Sequence, residues 1–401
     1  MEKESPKVLF IVNWFYPDKD SPVNGIFNQK NARAISRFNK EICVLFINDK
    51  ASLKKHYSIS SAVEDNIFTV RSYFKRSRSH SGPAKGLQRI WAKLVLQVRY
   101  ARALLRSFKT VEKEFGRPEI FHVNIIPPPV FRLVWLFKYR KTPVLFTEHL
   151  SDFLPQNIIK SRRSKIKDIL LRNLINEGSG LVVPSRALRE GLRMLGFETT
   201  YFIIPNVVDT SVFYPAKSSR KAGKFRFVHV SNLKELKNVT GIIRTAKRLY
   251  EKRQDFEVHI IGDGPDSPDL REMAKSFEIL DRVVFFHGRE TVSGVAEGMR
   301  NADCFILFSS YENSPCVIGE SLCSGIPVIG TDVGGIPELV NERNGLLVTP
   351  GNENELLNAM EKMIVDISKY DRGQIRSAAV EKFDAEAIGE KYNLIYRSIL
   401  K

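Results

Sequence analysis

Short apolar runs alternate with longer amphipathic segments along almost the whole chain. In the first half, β-rich runs fall at Val8–Asn13, Ile42–Ile47, Ile67–Ser72, Ile120–Asn124, Val144–Thr147, Leu181–Pro184 and Tyr201–Ile204. Helical spacing of apolar positions lies between them, at Phe27–Arg37, Leu87–Phe115, Lys165–Glu177 and Arg186–Leu195. The second half repeats the scheme, with strands at Phe225–Val230, Phe256–Ile261, Val283–Phe286, Cys304–Phe308, Pro327–Gly330 and Gly345–Val348. These strands lack the polar alternation of a half-exposed sheet. Separated by helices, such runs build parallel sheets covered on both faces. The pattern predicts the α/β class.

At 401 residues the chain exceeds one ordinary domain. Periodicity fades at Asn206–Gly223, which follows Pro205, contains Pro215 and ends in a Lys-Ser-Ser-Arg-Lys-Ala-Gly run. Residues 1–205 are therefore expected to form one doubly wound domain and 224–384 a second, with 206–223 as linker. A last helix at 385–401 is expected to pack back on the first domain. Two such domains would face each other across a ligand cleft at their sheet ends.

Composition narrows the chemistry. The four cysteines, Cys43, Cys304, Cys316 and Cys323, include no Cys-x-x-Cys pair, which excludes a disulfide scaffold, a zinc ribbon and an iron–sulfur cluster and suits a reducing cytoplasm. The apolar start, Val8–Tyr16, is interrupted by Asn13 and has no small-residue cleavage site, so it reads as a strand. Ile125–Phe137, the longest oily stretch elsewhere, holds three prolines and Arg132 and falls short of the ~20 residues that cross a bilayer. Charge is uneven: residues 1–200 carry 36 Lys and Arg against 17 Asp and Glu, residues 201–401 carry 26 against 28. All the excess positive charge sits in the first half, which points to nucleic acid, anionic lipid or a phosphorylated substrate.

The densest chemical signal is the run Phe305 to Val328, in which a buried strand ends at Ser309, Glu312 follows in a loop, and Ser314-Pro315 opens a helix containing Glu320. Ser is a good N-cap and Pro fits the first helical position. The helix end offers free backbone N–H groups and a positive dipole to an anion. The flanking carboxylates suit ribose or sugar hydroxyls, and equally suit dipole compensation on a plain surface.

Glu312 and Glu320 form an E-x7-E motif within SSYENSPCVIGESLCSGIPVIGTDVGGIPELV, which closely resembles the family-4 glycosyltransferases, retaining enzymes of the GT-B fold and of bacterial surface-polysaccharide type. NGIF, TEHLSD (147–152), IPNVVD (204–209), LKELKN (233–238), IIGDGPD (260–266) and VVFFHG (283–288) agree in order and spacing, more weakly between 50 and 115. The resemblance implies that Glu312 touches the donor sugar, Glu320 binds the ribose, and the turn Asn313, Ser314, Pro315, Cys316 and Val317 meets sugar and diphosphate. Lys237 matches the family's diphosphate lysine. The family's Arg in Gly-Arg-Leu is Asn232 here, in Ser-Asn-Leu, so one cation is missing or supplied elsewhere. Arg289, after VVFFHG, stands where the family's backbone passes the nucleobase.

In the first half the resemblance matches Gly25 to a glycine turn that lets backbone approach a phosphate, and His149 to a histidine beside the donor sugar. His122 sits at another strand end. Asp18-Lys19-Asp20 has the spacing of metal-binding glycosyltransferase motifs, but solvated turn acids are commoner in such a loop. No metal or other cofactor is expected. GDGPD lacks the third glycine of a dinucleotide fingerprint.

Two basic clusters stand out: Arg71, Lys75, Arg76, Arg78, Lys85, Arg89 and Lys93, with Trp91 and Leu94 interleaved, and Lys160, Arg162, Arg163, Lys165 and Lys167. They are expected to meet an anionic membrane surface, placing a cytoplasmic protein peripherally on the inner face of the plasma membrane. No nucleic-acid motif accompanies them. The expected activity is retaining transfer from a nucleotide-diphosphate sugar, UDP-linked, to a glycan or lipid-linked acceptor. A nucleotide-sugar 2-epimerase of the same fold is the alternative, and a basic nucleic-acid-binding module a more distant one.

Overall fold

The computed structural model describes all residues except 1–4, 15, 18–24, 76–86, 161–164 and 217–222. The chain forms two compact units: residues 1–184, 188–204 and 388–401, and residues 185–187 with 205–387.

The first unit holds β1 (Val8–Asn13), α1 (Ile26–Phe38), β2 (Ile42–Lys50), β3 (Tyr57–Glu64), β4 (Ile67–Lys75), α2 (Leu87–Glu114), β5 (Ile120–Asn124), α3 (Val130–Lys138), β6 (Val144–Thr147), α4 (Pro155–Lys160), α5 (Lys165–Asn176), β7 (Gly180–Val183), α6 (Arg186–Met194) and β8 (Tyr201–Ile203). Its sheet runs β3-β4-β2-β1-β5-β6-β7-β8. Every residue of β1 and β5 is buried, as strands covered on both faces require.

Two elements depart from the sequence expectation. Strand β3 pairs antiparallel with β4 at the sheet edge. Its Ser-rich, mostly exposed residues carry little apolar signal. It is held by a two-residue turn, Asp65-Asn66, both at positive φ (52° and 62°), which twists with the hairpin. Helix α3 occupies the oily stretch with three prolines; they end at Pro129, its N-cap, and so begin the helix without interrupting it.

The second unit holds β9 (Phe225–Val230), α7 (Val239–Tyr250), β10 (Phe256–Ile261), α8 (Ser267–Ser276), β11 (Val284–Gly288), α9 (Val292–Arg300), β12 (Cys304–Leu307), α10 (Cys316–Cys323), β13 (Val328–Thr331), β14 (Gly345–Val348), α11 (Glu353–Asp366) and α12 (Arg372–Phe383). The all-parallel sheet runs β11-β10-β9-β12-β13-β14, so strand order reverses between β9 and β12. Its two faces bury separate cores, Phe227, Ile260 and Ile306 on one side and Val228, Phe305 and Leu307 on the other.

Residues 206–216, expected as linker, belong to this unit's packing. Val208 and Phe213 are buried, and the Val208 amide donates to the Phe383 carbonyl at 2.9 Å. Their irregular spacing hid a wall of the core; residues 217–222 lie outside the described residues.

The last helix, α13 (Ala385–Ile399), places Tyr392 and Tyr396 in the first unit's core. Tyr396 Oη meets His122 Nδ1 at 2.6 Å, and His122 Nε2 meets Thr147 Oγ1 at 2.7 Å. Burial pushes the His122 pKa down to about 3, so the ring is neutral. His122 therefore fastens α13 to β5 and β6 and is taken up by structure. Replacing Tyr396 with Phe should leave a buried nitrogen without its partner and cost about 1–3 kcal/mol. Tryptophan fluorescence in urea reads this directly, because Trp14, Trp91 and Trp135 all belong to the first unit; an unchanged midpoint would contradict the role.

Candidate active site

In an open parallel sheet, polar chemistry gathers at the carboxyl ends of strands where their order reverses, because both faces are covered. In the second unit that point lies between β9 and β12. After β9 the chain passes Ser231 and exposed Asn232, turns through Glu235–Lys237 as a single 3-10 turn, and enters α7 at Asn238. Asn238 sits at φ 47°, a conformation Asn tolerates, and its side chain caps α7 by accepting from the Gly241 amide at 3.2 Å. The turn delivers Lys237, whose Nζ lies 2.5 Å from Glu312 Oε1.

Glu312 follows β12. Buried Ser309 donates to the same carboxylate oxygen at 2.9 Å, and the Ser309 carbonyl accepts from Thr331 Oγ1 at 2.8 Å. The side chains of Lys237 and Glu312 are only 17% and 11% exposed, so the pair is weakly screened by solvent. Asn313 is nearly buried. Helix α10 begins at Cys316 with Pro315 as N-cap (φ −68°, ψ 117°). Ser314 was expected to cap it; no cap side-chain bond forms, and the Ser314 carbonyl accepts from Asn206 Nδ2 at 3.1 Å. Cys316 and Val317, both half-buried, make the first turn, and half-buried Glu320 lies one turn further on. Arg289 is exposed just beyond β11.

The loop bearing Glu312 lies against Val333–Gly335. A Cβ on Gly334 (φ 54°) would fall 1.7 Å from the Glu312 carbonyl oxygen, and one on Gly335 would fall 1.9 Å from that of Asn313. Glycine is obligatory at both places. The glycines of GDGPD have a similar use: a Cβ on Gly262 would meet the Ser231 carbonyl oxygen at 1.8 Å, and one on Gly264 that of Asn232 at 2.0 Å. They seat the turn that leads to Lys237.

In the first unit, Gly25 adopts φ 67° at the N-cap of α1, accepting from the Asn28 amide at 2.9 Å. The Phe27 ring then lies 4.7 Å from that of His149, so these two predicted positions are neighbours. Fully buried Glu148 accepts from the amides of His149, Leu150 and Ile126 at 2.7, 2.8 and 3.1 Å, bracing the loops around His149. Burial raises its pKa against the pull of those three donors. Asp18 to Asp20 lie outside the described residues. No group of three or more His, Cys, Asp or Glu suited to a metal occurs among the described residues.

A doubly wound sheet in each unit, with a cation, a carboxylate and a helix N-terminus at the second sheet's reversal point, is the architecture of the GT-B fold. Glycosyltransferase Family 4 matches residues 67–212 and Glycosyl transferases group 1 matches residues 213–378. The chain belongs to the family-4 glycosyltransferases. It is 25% identical to the N-acetyl-alpha-D-glucosaminyl L-malate synthase of Bacillus anthracis across 63% of this chain and 65% of that protein. It is 24% identical to the alpha-monoglucosyldiacylglycerol synthase of Streptococcus pneumoniae across 66% and 62%. The chain thus spans under two thirds of either relative. Among solved structures, the sucrose-phosphate synthase of Thermosynechococcus elongatus superposes with a TM-score of 0.72 at 17% identity, covering 98% of this chain and 99% of that one. Anabaena HepE, solved in complex with UDP, gives 0.70 at 17% over 98% and 100%.

Sequence reading missed His229, which ends buried within β9, and Ser309, Gly334 and Gly335, whose partners are set only by the fold. Burial lowers the pKa of His149 and His229 to about 4 and that of His122 to about 3. Each is depressed below the unfolded value of about 6.5, so the unfolded chain binds protons first as pH falls. The histidine contribution to stability is therefore intact above about pH 6.5 and shrinks towards pH 4, on the order of 3 kcal/mol per ring. Urea midpoints followed by circular dichroism between pH 7 and 4 should fall, and less steeply in His229→Gln; parallel slopes would contradict a neutral buried ring.

Proposed function

We propose that the protein moves a sugar from a UDP-sugar to a glycan or lipid-linked saccharide acceptor, with retention of configuration, in cell-surface polysaccharide synthesis. The observation that carries this reading is the Lys237–Glu312 pair at the reversal point of the second sheet. A sugar diphosphate needs a cation and helix-end amides for its phosphates and a carboxylate for its hydroxyls; here they converge on one strand edge. In this reading Lys237 and the first turn of α10 hold the diphosphate, Glu312 the sugar, Glu320 the ribose, and backbone at Arg289 the base. Asn232 replaces one expected cation with a neutral amide. The UDP complex of HepE supports the choice of base, and the name of the pneumococcal diacylglycerol synthase supports a lipid-borne acceptor.

The proposed chemistry is front-face displacement. The bond from the anomeric carbon to the phosphate oxygen breaks, the acceptor oxygen bonds to the same face of that carbon, and the acceptor proton passes to the departing phosphate. Charge developing on the phosphate is met by Lys237 and the helix end, and no resident metal takes part. In the first unit, the Gly25 turn and neutral His149 serve the transferred group. Glu312→Gln and Lys237→Ala should each lower turnover roughly 10²–10³-fold, the usual loss for one preorganised electrostatic contact. Release of UDP from UDP-sugars with acceptor present measures this, after a thermal-shift screen of UDP, GDP and ADP has identified the nucleotide. Parental rates in both variants would sink the assignment.

We also propose that the first unit rests on an anionic leaflet at the cytoplasmic face. Arg71, counted in the basic cluster, is not available for this: its Nη2 lies 2.6 Å from Glu64 Oε2, and its guanidinium lies over the rings of Tyr16 and Phe46. Arg76, Arg78, Lys85, Arg162 and Arg163 of the two clusters lie outside the described residues. What is described is apolar. Trp91, Leu94, Val98 and Leu105 make one exposed stripe on α2, and Leu133 and Phe137 (92% exposed) another on α3. The Val130 amide donates to Gln97 Oε1 and Lys138 pairs with Glu112, which sets the helices side by side. Exposed Arg102, Lys109, Arg140 and Lys141 border the stripes. No helix among the described residues is long and apolar enough to cross a membrane. Sedimentation with vesicles rich in anionic lipid should capture the protein, and Leu133→Ser with Phe137→Ser should weaken capture about tenfold or more, each buried large apolar side chain contributing about 1.5–3 kcal/mol. Equal capture of both forms would refute this face.

A further inference from the structure

The family's Gly-Arg-Leu is Ser231-Asn232-Leu233 in this chain, and the structure gives the serine a use. His229 lies buried at the end of β9. Its Nδ1 is 2.9 Å from the carbonyl oxygen of Ile306 on β12, which can only accept, so Nδ1 carries the proton. Nε2 is then an acceptor and takes the hydroxyl proton of Ser231 at 2.8 Å. The Ser231 oxygen in turn accepts from the Leu233 amide at 3.2 Å. Every donor and acceptor along this path has one role, and the path runs from the core of β12 to the turn that ends in Lys237.

That turn needs support. Leu233 has φ 34°, a conformation unfavourable for a branched residue, while its side chain is fully buried in the core. The carbonyls of Ser231 and Asn232 are pressed onto Gly262 and Gly264. Four residues later the chain must bring Lys237 Nζ within 2.5 Å of Glu312.

We infer that His229 and Ser231 act as a positioning relay, fixing the Ser231–Leu233 turn so that Asn232 and Lys237 are presented to the leaving diphosphate with a single cation between them. The inference rests on the donor site proposed above. The two residues are positioning residues: neither touches Glu312, and both act through the backbone of the turn. Burial and nearby Lys237 hold the imidazole neutral, as the relay requires.

Ser231→Ala and Ser231→Gly remove the relay hydroxyl, and Ser231→Thr keeps it. Because Lys237 meets charge that grows as the phosphate departs, loss of the relay should lower kcat roughly tenfold, with the donor's KM within about twofold and melting temperature little changed. UDP, which carries that grown charge, should bind more weakly in calorimetry by a similar factor, and Ser231→Thr should recover most of both. Parental kcat and UDP affinity in Ser231→Ala would overturn the relay. A parent protein that turns over donor normally but shows Nε2-protonated His229 by 15N NMR would overturn it without any variant. Absence of nucleotide binding in the parent would instead refute the donor site, and the relay with it.

Discussion

A parallel sheet buried on both faces can show polar chemistry only at its strand ends, and this constraint organises the molecule. In the second unit Phe227 and Val228 are adjacent along β9 yet enter opposite cores, so both faces of the strand are covered. Beyond Val230 on β9 and Ser309 after β12 the chain leaves the core. Because strand order reverses between those two strands, the two escaping loops diverge and leave room between them. Lys237 and Glu312 meet there.

The loops themselves have little packing of their own and are held by backbone contact and short hydrogen bonds. Glycines at 262, 264, 334 and 335 let one loop lie directly on the carbonyls of another. Ser309 and Thr331 fasten the Glu312 loop to β13, while Ser231 and His229 fasten the Lys237 turn to β12. A charged pair at 11–17% exposure is costly to desolvate, and fixed partners of this kind let it persist without collapsing into the core.

What was legible in the sequence follows from the same constraint. Strands buried on both faces read as continuous apolar runs, so β1, β5, β9 and β12 stand out; the end of β12 points to Glu312, whereas Lys237 is marked only by the family resemblance. Strand β3 did not stand out, because an exposed edge strand of Ser and Ala has no buried face to mark it. Residues 206–216 looked like linker because Val208 and Phe213 pack as coil, where no period exists to detect. His229 and Ser309 gave no sign, since a lone His or Ser acquires meaning only from partners such as the Ile306 carbonyl, 77 residues away. Gly334 looked like any turn glycine until Glu312 lay against it.

The two units divide their polar investment differently. The first unit buries His122 and Glu148 and satisfies them with hydroxyls and backbone amides. Neutral or caged groups can be buried without drawing water in, whereas a lysine would bring its hydration shell. The second unit keeps a charged pair, Lys237 and Glu312, at the end of its sheet. Part of the positive excess of the first half lies on exposed Arg102, Lys109, Arg140 and Lys141, where solvent and salt screen it from the buried groups within.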